Sequence, residues 1–178
     1  RCAPISARKK SVRKKLLPNN FQLDKRFMTD GNLIVSAARG WLGTRFHHQG
    51  RLKKTAQHLG GVDCLGLLVG VATELDLRTE DGMPIRSFDR VDYSHYPDIT
   101  QLKEQLSQLL QSVDKEELQN GDVLLLNVDG NPQHLGIVSH LPGGQGLIHA
   151  YAPARAVVEH LLDEAWRPRI DHAFRFRF

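Results

Sequence analysis

An α+β fold, with N-terminal helices packed on a C-terminal antiparallel β-sheet, is what this 178-residue sequence predicts. Two observations carry that expectation. Apolar residues recur at helical spacing up to about residue 113, and after Asn120-Gly121 the text changes to short β-rich runs separated by turn residues. With 40% hydrophobic residues, the chain can bury one core of ordinary size but not two.

The first helix begins near Asp30, where Leu33, Ile34, Ala37, Ala38, Trp41 and Leu42 fall on one face and Gly43 stops the pattern. Residues 43–62 are rich in Gly, Lys, Arg and His, and form a loop that delivers the chain to Cys64. Cys64 to Leu75 reads as a second helix with Asp63 as N-cap. Gly66 and Gly70 lie four apart on it, which predicts that another backbone packs closely against that face. Residues 77–98 are an excursion with Gly82, Pro84, Pro97 and scattered aromatics, expected to form one wall of a cleft. Asp98 then caps a third helix whose stripe is Ile99, Leu102, Leu106, Leu109, Leu110 and Val113. Five strands follow, at Asp122–Val128, Leu135–His140, Gly146–Tyr151, Ala156–Leu161 and Ala173–Phe178. In the last, Phe174, Phe176 and Phe178 alternate with Arg175 and Arg177, giving one buried and one wet face.

Charge divides the chain differently. Residues 1–26 hold nine Lys or Arg against a single acid, Asp24, whereas the other 152 residues hold 15 basic and 19 acidic side chains. The formal charge of +4 therefore belongs to the tail, and the domain shows no nucleic-acid stripe. Residues 1–27 are expected to be a basic, disordered arm and residues 28–178 the folded domain. Met28, immediately before the first helix, is a candidate translation start. No window approaches the roughly 18 apolar residues of a membrane span, and the N-terminus lacks the apolar segment of a secretory signal. The expectation is a protein made in the cytoplasm with no export route of its own.

Cys2 and Cys64 form no spaced set that could staple a small secreted fold. No Cys-x-x-Cys is present, and no pair of histidines flanks a glutamate at helical spacing, so no metal site is expected. A thiol at a helix start can do other chemistry. The helix N-terminus and an adjacent imidazolium can bring a thiol from a pKa near 8.5 down to roughly 3.5 to 7.5. The unpaired N–H groups of the first turn also offer an oxyanion hole. Asp63 works slightly against the thiolate and serves better as the cap. His134 and His149 lie on successive strands; if these are antiparallel neighbours joined at Pro142-Gly143-Gly144, the second imidazole can fix the tautomer of the first. A lone cysteine or strand histidine is usually a packing residue, but Cys64, His134 and His149 together point to nucleophilic catalysis. His47, His48 and Gln49 are candidates for substrate contact or a donor role. His58, His95, His140, His160 and His172 read as solvated or structural.

The chain resembles the NlpC/P60 cysteine peptidases, and more closely their phage-tail and prophage branch, over about residues 29–170. The matching text is Ala37-Ala38-Arg39-Gly40-Trp41-Leu42-Gly43-Thr44 leading to His48-Gln49, Asp63-Cys64-Leu65-Gly66-Leu67, Gly121-Asp122-Val123, His134-Leu135-Gly136-Ile137 and Ile148-His149-Ala150. The resemblance implies a papain-like α+β fold with Cys64 as nucleophile, His134 as general base and His149 as the orienting third residue. It also implies cleavage of peptidoglycan stem peptides, often between D-glutamate and diaminopimelate, through an acyl-enzyme and without a metal or organic cofactor. Phage-tail proteins are the partners it suggests, and a cell wall or periplasm reached as a tail component is the implied place of action. The sequence departs from the family at Gly43-Thr44-Arg45-Phe46, where members have Gly-x-Pro-Tyr with the tyrosine hydroxyl reaching the cysteine; Phe46 cannot supply that hydrogen bond. A tail-assembly protein that keeps the fold without turnover is the rival reading.

Overall fold

In the computed structural model, residues 30–93, 99–128 and 131–177 are described. The arm at 1–27, the capping role given to Asp98, and His95 and Phe178 lie outside them.

The first helix, α1 (Asp30–Arg39), buries Ile34, Val35 and Ala38. It ends three residues before the periodicity does. The chain leaves it through a tight turn so that Gly43, at φ +75°, can donate its N–H to Val157 O at 2.9 Å while Thr44 O accepts from Val157 N at 2.9 Å. Trp41 stays buried in the core from that turn, which is why its spacing looked helical. The loop to Cys64 contains a two-residue antiparallel pair, β1 (Arg51–Leu52) and β2 (Gly61–Val62).

Helix α2 (Cys64–Glu74) starts where Asp63 turns extended and accepts from Gly66 N. It buries six residues from Gly66 to Ala72, so it runs through the core rather than over it. A Cβ at Gly66 would stand 2.1 Å from Gly50 O, the backbone approach expected. At Gly70 the neighbour is instead the Trp41 indole, 2.2 Å from such a Cβ.

Helix α3 (Ile99–Leu109) stops short of Val113, because Gln111–Val113 form a strand, β3. The apolar spacing hid this boundary: Leu106 and Leu110 are buried with the helical core while Val113 packs against a second cluster. The remaining strands are β4 (Val123–Val128), β5 (Asn131–Leu141), β6 (Gly144–Tyr151), β7 (Ala156–Leu161) and β8 (Ile170–Arg175). They make one antiparallel sheet in the order β3-β8-β4-β5-β6-β7, with one strand more than expected and β8 starting three residues earlier.

The sheet is covered on both faces. Val123 and Leu125 join the helical core, whereas Leu124 and Leu126 join a smaller cluster with Val138, Leu147, Leu162 and Ile170, against which Trp166 packs. That is why residues 123–126 read as an unbroken apolar run. Phe174 and Phe176 are buried and Arg175 pairs with buried Asp122, the alternation expected of the last strand. No helix among the described residues is long and apolar enough to cross a membrane.

Candidate active site

Cys64 is the first residue of α2, and Asp63 behind it is a hub. Its Oδ1 accepts from Gly66 N at 2.8 Å and from Arg51 Nη1 at 3.1 Å; its Oδ2 accepts from Gln49 N at 2.6 Å and from the Tyr93 hydroxyl. At 4% exposure, these four donors replace water around the carboxylate. Arg51 also holds Asp89 through Nε at 3.0 Å and Arg90 O through Nη2 at 2.8 Å. One guanidinium thus ties the loop before the nucleophile to the excursion after α2.

That excursion forms the wall expected of it. Arg90, Asp92 and Tyr93 line a cavity of about 270 Å³ with Cys64, Leu65, Gln101, Gln105, Gln133 and Leu135. His48 stacks edge-on against Tyr93 with centroids 5.4 Å apart, and its Nδ1 lies 4.0 Å from Asp63 Oδ2. Gln49, at φ +58°, donates Nε2 to Tyr93 O at 2.6 Å. Both are therefore gathered at the Asp63–Tyr93 brace. Phe46 is placed elsewhere: its ring packs on the helical core and its N–H donates to Arg155 O at 2.8 Å. Tyr93 lines the cavity, but its hydroxyl donates to Asp63 and does not replace the one that Phe46 lacks.

The two strand histidines meet. β5 and β6 pair antiparallel through the Gly143-Gly144 turn, with Ile137 opposite Ile148, and His134 Nε2 lies 2.7 Å from His149 Nδ1. The β4–β5 ladder slips between Leu126 and Asn127, beside His134, a place where bulges re-aim a strand side chain. Leu147, His149 and Tyr151 alternate onto the face of the smaller cluster. There Tyr151 stacks on His149 at 4.8 Å and Trp166 meets it edge-on at 4.9 Å. On the same face of β7, His160 Nε2 lies 3.0 Å from His149 Nε2, and its Nδ1 lies 2.8 Å from Leu161 O.

These surroundings decide the charge states. Burial, and then the Asp63 carboxylate, push the Cys64 thiol up to about 11, although the N–H groups of Leu135, Leu65 and Cys64 itself work the other way. The sequence-based expectation of a lowered thiol pKa is thus reversed: the helix terminus contributes, but desolvation and Asp63 outweigh it. Burial holds His134 down to about 4, with Asp63 opposing it only in part. His149, fully buried, is held far below its ordinary value by burial and by the neighbouring His134 and His160. The resting site holds a neutral thiol and neutral imidazoles.

Four participants escaped the sequence reading. Arg51 was one of several cations in a basic loop and Tyr93 one of several scattered aromatics, so neither carried a signal. Trp166 covers the imidazoles from beyond β7. His160, read as solvated or structural, was legible in principle, since its place two residues beyond Val158, the partner of His149, follows from the β6–β7 hairpin. Among the described residues, no group of three His, Cys, Asp or Glu side chains is arranged to hold a metal ion.

The sequence matches no protein-family model and no curated protein. Solved structures are similar in fold. The NlpC/p60 domain of the peptidoglycan hydrolase SagA superposes with a TM-score of 0.53 at 19% identity, covering 83% of this chain and all of that domain. An NlpC/P60 family protein from Bacillus cereus gives a TM-score of 0.56 at 19% identity over 83% of this chain and 40% of its own longer chain. The P60 domain of an antigen from M. avium subspecies paratuberculosis gives 0.51 at 14% identity, over 83% of this chain and 96% of that one. The chain has the papain-like α+β fold of NlpC/P60 domains.

Proposed function

We propose that this protein is a cysteine peptidase that hydrolyses peptidoglycan stem peptides. The observation that carries the reading is the His134–His149 hydrogen bond of 2.7 Å on adjacent strands, in a fold whose Cys64 opens a helix. Similarity in fold to the domain of a peptidoglycan hydrolase supports the substrate class, whereas the chemistry is argued from the side chains, since fold alone does not fix it.

In this mechanism His134 takes the proton from Cys64 as the sulfur attacks the scissile carbonyl. Because the resting pair is neutral, proton transfer accompanies attack instead of preceding it. The developing oxyanion is met by N–H groups at the start of α2; the Tyr93 proton is already donated to Asp63, and Phe46 has none to offer. His134 then protonates the leaving amine, and water, deprotonated by the same imidazole, releases the acyl group. His149 keeps His134 oriented throughout. The bond between D-glutamate and diaminopimelate is the scissile bond proposed, and association with a phage tail is the proposed route to the wall.

Incubating the whole chain and its Cys64→Ala variant with defined muropeptides, with products read by mass spectrometry, tests this. A cleavage present in the parent and lost in the variant is expected, and it names the bond. A folded parent that turns over none of them would favour a non-catalytic tail component, the reading that Phe46 supports.

A further inference from the structure

The three imidazoles form a chain whose direction is set at its far end. Leu161 O can only accept a hydrogen bond, so the contact at 2.8 Å places a proton on His160 Nδ1. A neutral His160 then has a lone pair at Nε2. His149 Nε2, 3.0 Å away, must be the donor to it. That leaves a lone pair on His149 Nδ1, so His134 Nε2, at 2.7 Å, must donate in turn. The remaining nitrogen of His134, Nδ1, is left bare. We infer that His160 is a positioning residue that, acting through His149 from the Leu161 carbonyl, fixes His134 in the tautomer whose Nδ1 is free to act as a base.

Every link has a structural reason. His149 uses both ring nitrogens on histidines, so nothing in its own contacts prefers one tautomer over the other; symmetry is broken only where His160 meets a carbonyl. Its ring cannot turn away, because Tyr151 lies flat against it, 16° from parallel, and Trp166 closes on it at 87°. Trp166 also meets the His160 ring at 5.1 Å. The β6–β7 pairing holds the two strands in the required register, with His149 opposite Val158 and Leu147 opposite His160. Reversing the chain would put the proton on His134 Nδ1 and leave His134 no free nitrogen to act as a base.

The inference rests on the proposed role of His134, but its test does not depend on turnover. The whole chain is labelled with 15N-histidine, and long-range 1H–15N spectra report which ring nitrogen carries the proton in each imidazole. His134 and His149 are both expected as Nε2–H tautomers and His160 as Nδ1–H. In His160→Leu, which removes the acceptor, His134 and His149 should become mixtures, with kcat on a cleaved muropeptide down by on the order of tenfold and KM little changed. In His160→Gln, whose amide oxygen can accept from His149, the parent tautomers and rate should return. Finding His134 as Nδ1–H in the parent overturns the inference without any variant, as does a folded His160→Leu with parent-like tautomers. If the parent cleaves no muropeptide but shows the expected tautomers, the proposed substrate fails and the relay stands.

Discussion

The neutral resting site makes the reactivity of Cys64 a quantitative test. A thiol held at about 11 is thiolate in only about one molecule in ten thousand at pH 7, against a few per cent for a free cysteine of pKa near 8.5. Alkylation by iodoacetamide at pH 7 should therefore be about 300-fold slower than in the unfolded chain, rising tenfold per pH unit to beyond pH 10. An ion pair with His134 would evade this limit, so its cost must be weighed. The thiol at about 11 and the imidazole at about 4 differ by seven units, which is about 10 kcal/mol against transferring the proton. Attraction between opposite charges brought to about 4 Å would return about 4 kcal/mol at an effective dielectric constant near 20. About 6 kcal/mol remains in favour of the neutral pair. The assay is pseudo-first-order alkylation followed by mass spectrometry from acid to alkaline pH, with Cys64→Ala as control. A rate that is already fast and flat below pH 7 would refute the reasoning.

Acid should destabilise the fold through the same groups. His134 protonates near 6.5 when unfolded but only near 4 when folded, so the unfolded state binds the extra proton between those values, and His134 alone removes about 3 kcal/mol as pH falls across them. Urea unfolding at pH 7 and pH 4.5 should show the loss, with a shallower slope in His134→Gln; equal slopes would count against it. Asp63→Asn keeps one acceptor but removes the charge facing a half-buried guanidinium and turns an amide toward two other donors, and should cost about 2 to 4 kcal/mol. A thermal midpoint like that of the parent would show that Asp63 is not the hub. Tyr93→Phe should cost about 2 kcal/mol in urea unfolding by removing one charge-assisted hydrogen bond, and a change near zero would detach Tyr93 from the brace.

What could be read in the sequence was local. The start of α2 was legible because a capping aspartate and the N–H it satisfies lie three residues apart, and the β5–β6 hairpin because alternation and a glycine turn are neighbours in the chain. The pairing of His134 with His149 followed from those two facts. Tyr93 and Arg51 were opaque for the opposite reason: the contact of Tyr93 with Asp63 spans 30 residues and that of Arg51 with Asp89 spans 38, and no periodicity encodes either. β3 was hidden because an apolar residue at helical spacing, here Val113, can equally be a pairing residue of a strand. The thiol's charge state depended on how deeply it is buried, a quantity that depends on where every other element packs.

Burial sets the low proton affinity of His134, and the histidine at position 149 does nothing to offset it. A carboxylate in that position would stabilise an imidazolium and raise its pKa; His149 is neutral, buried and unable to do so. Among the described residues, Asp63 is the anion acting on His134, and its effect is smaller than that of burial. It also raises the thiol, so one carboxylate opposes the nucleophile while modestly assisting the base. The consequence is an imidazole that stays unprotonated well into acid and a thiol that is not ionised at rest. In the proposed mechanism, activation comes from substrate filling the cavity beside Cys64, where a developing oxyanion meets the N–H groups that open α2. The imidazole chain suits such a site: with no ion pair to hold His134 in one tautomer, orientation has to be supplied by hydrogen-bond direction alone, which His160 and the Leu161 carbonyl provide.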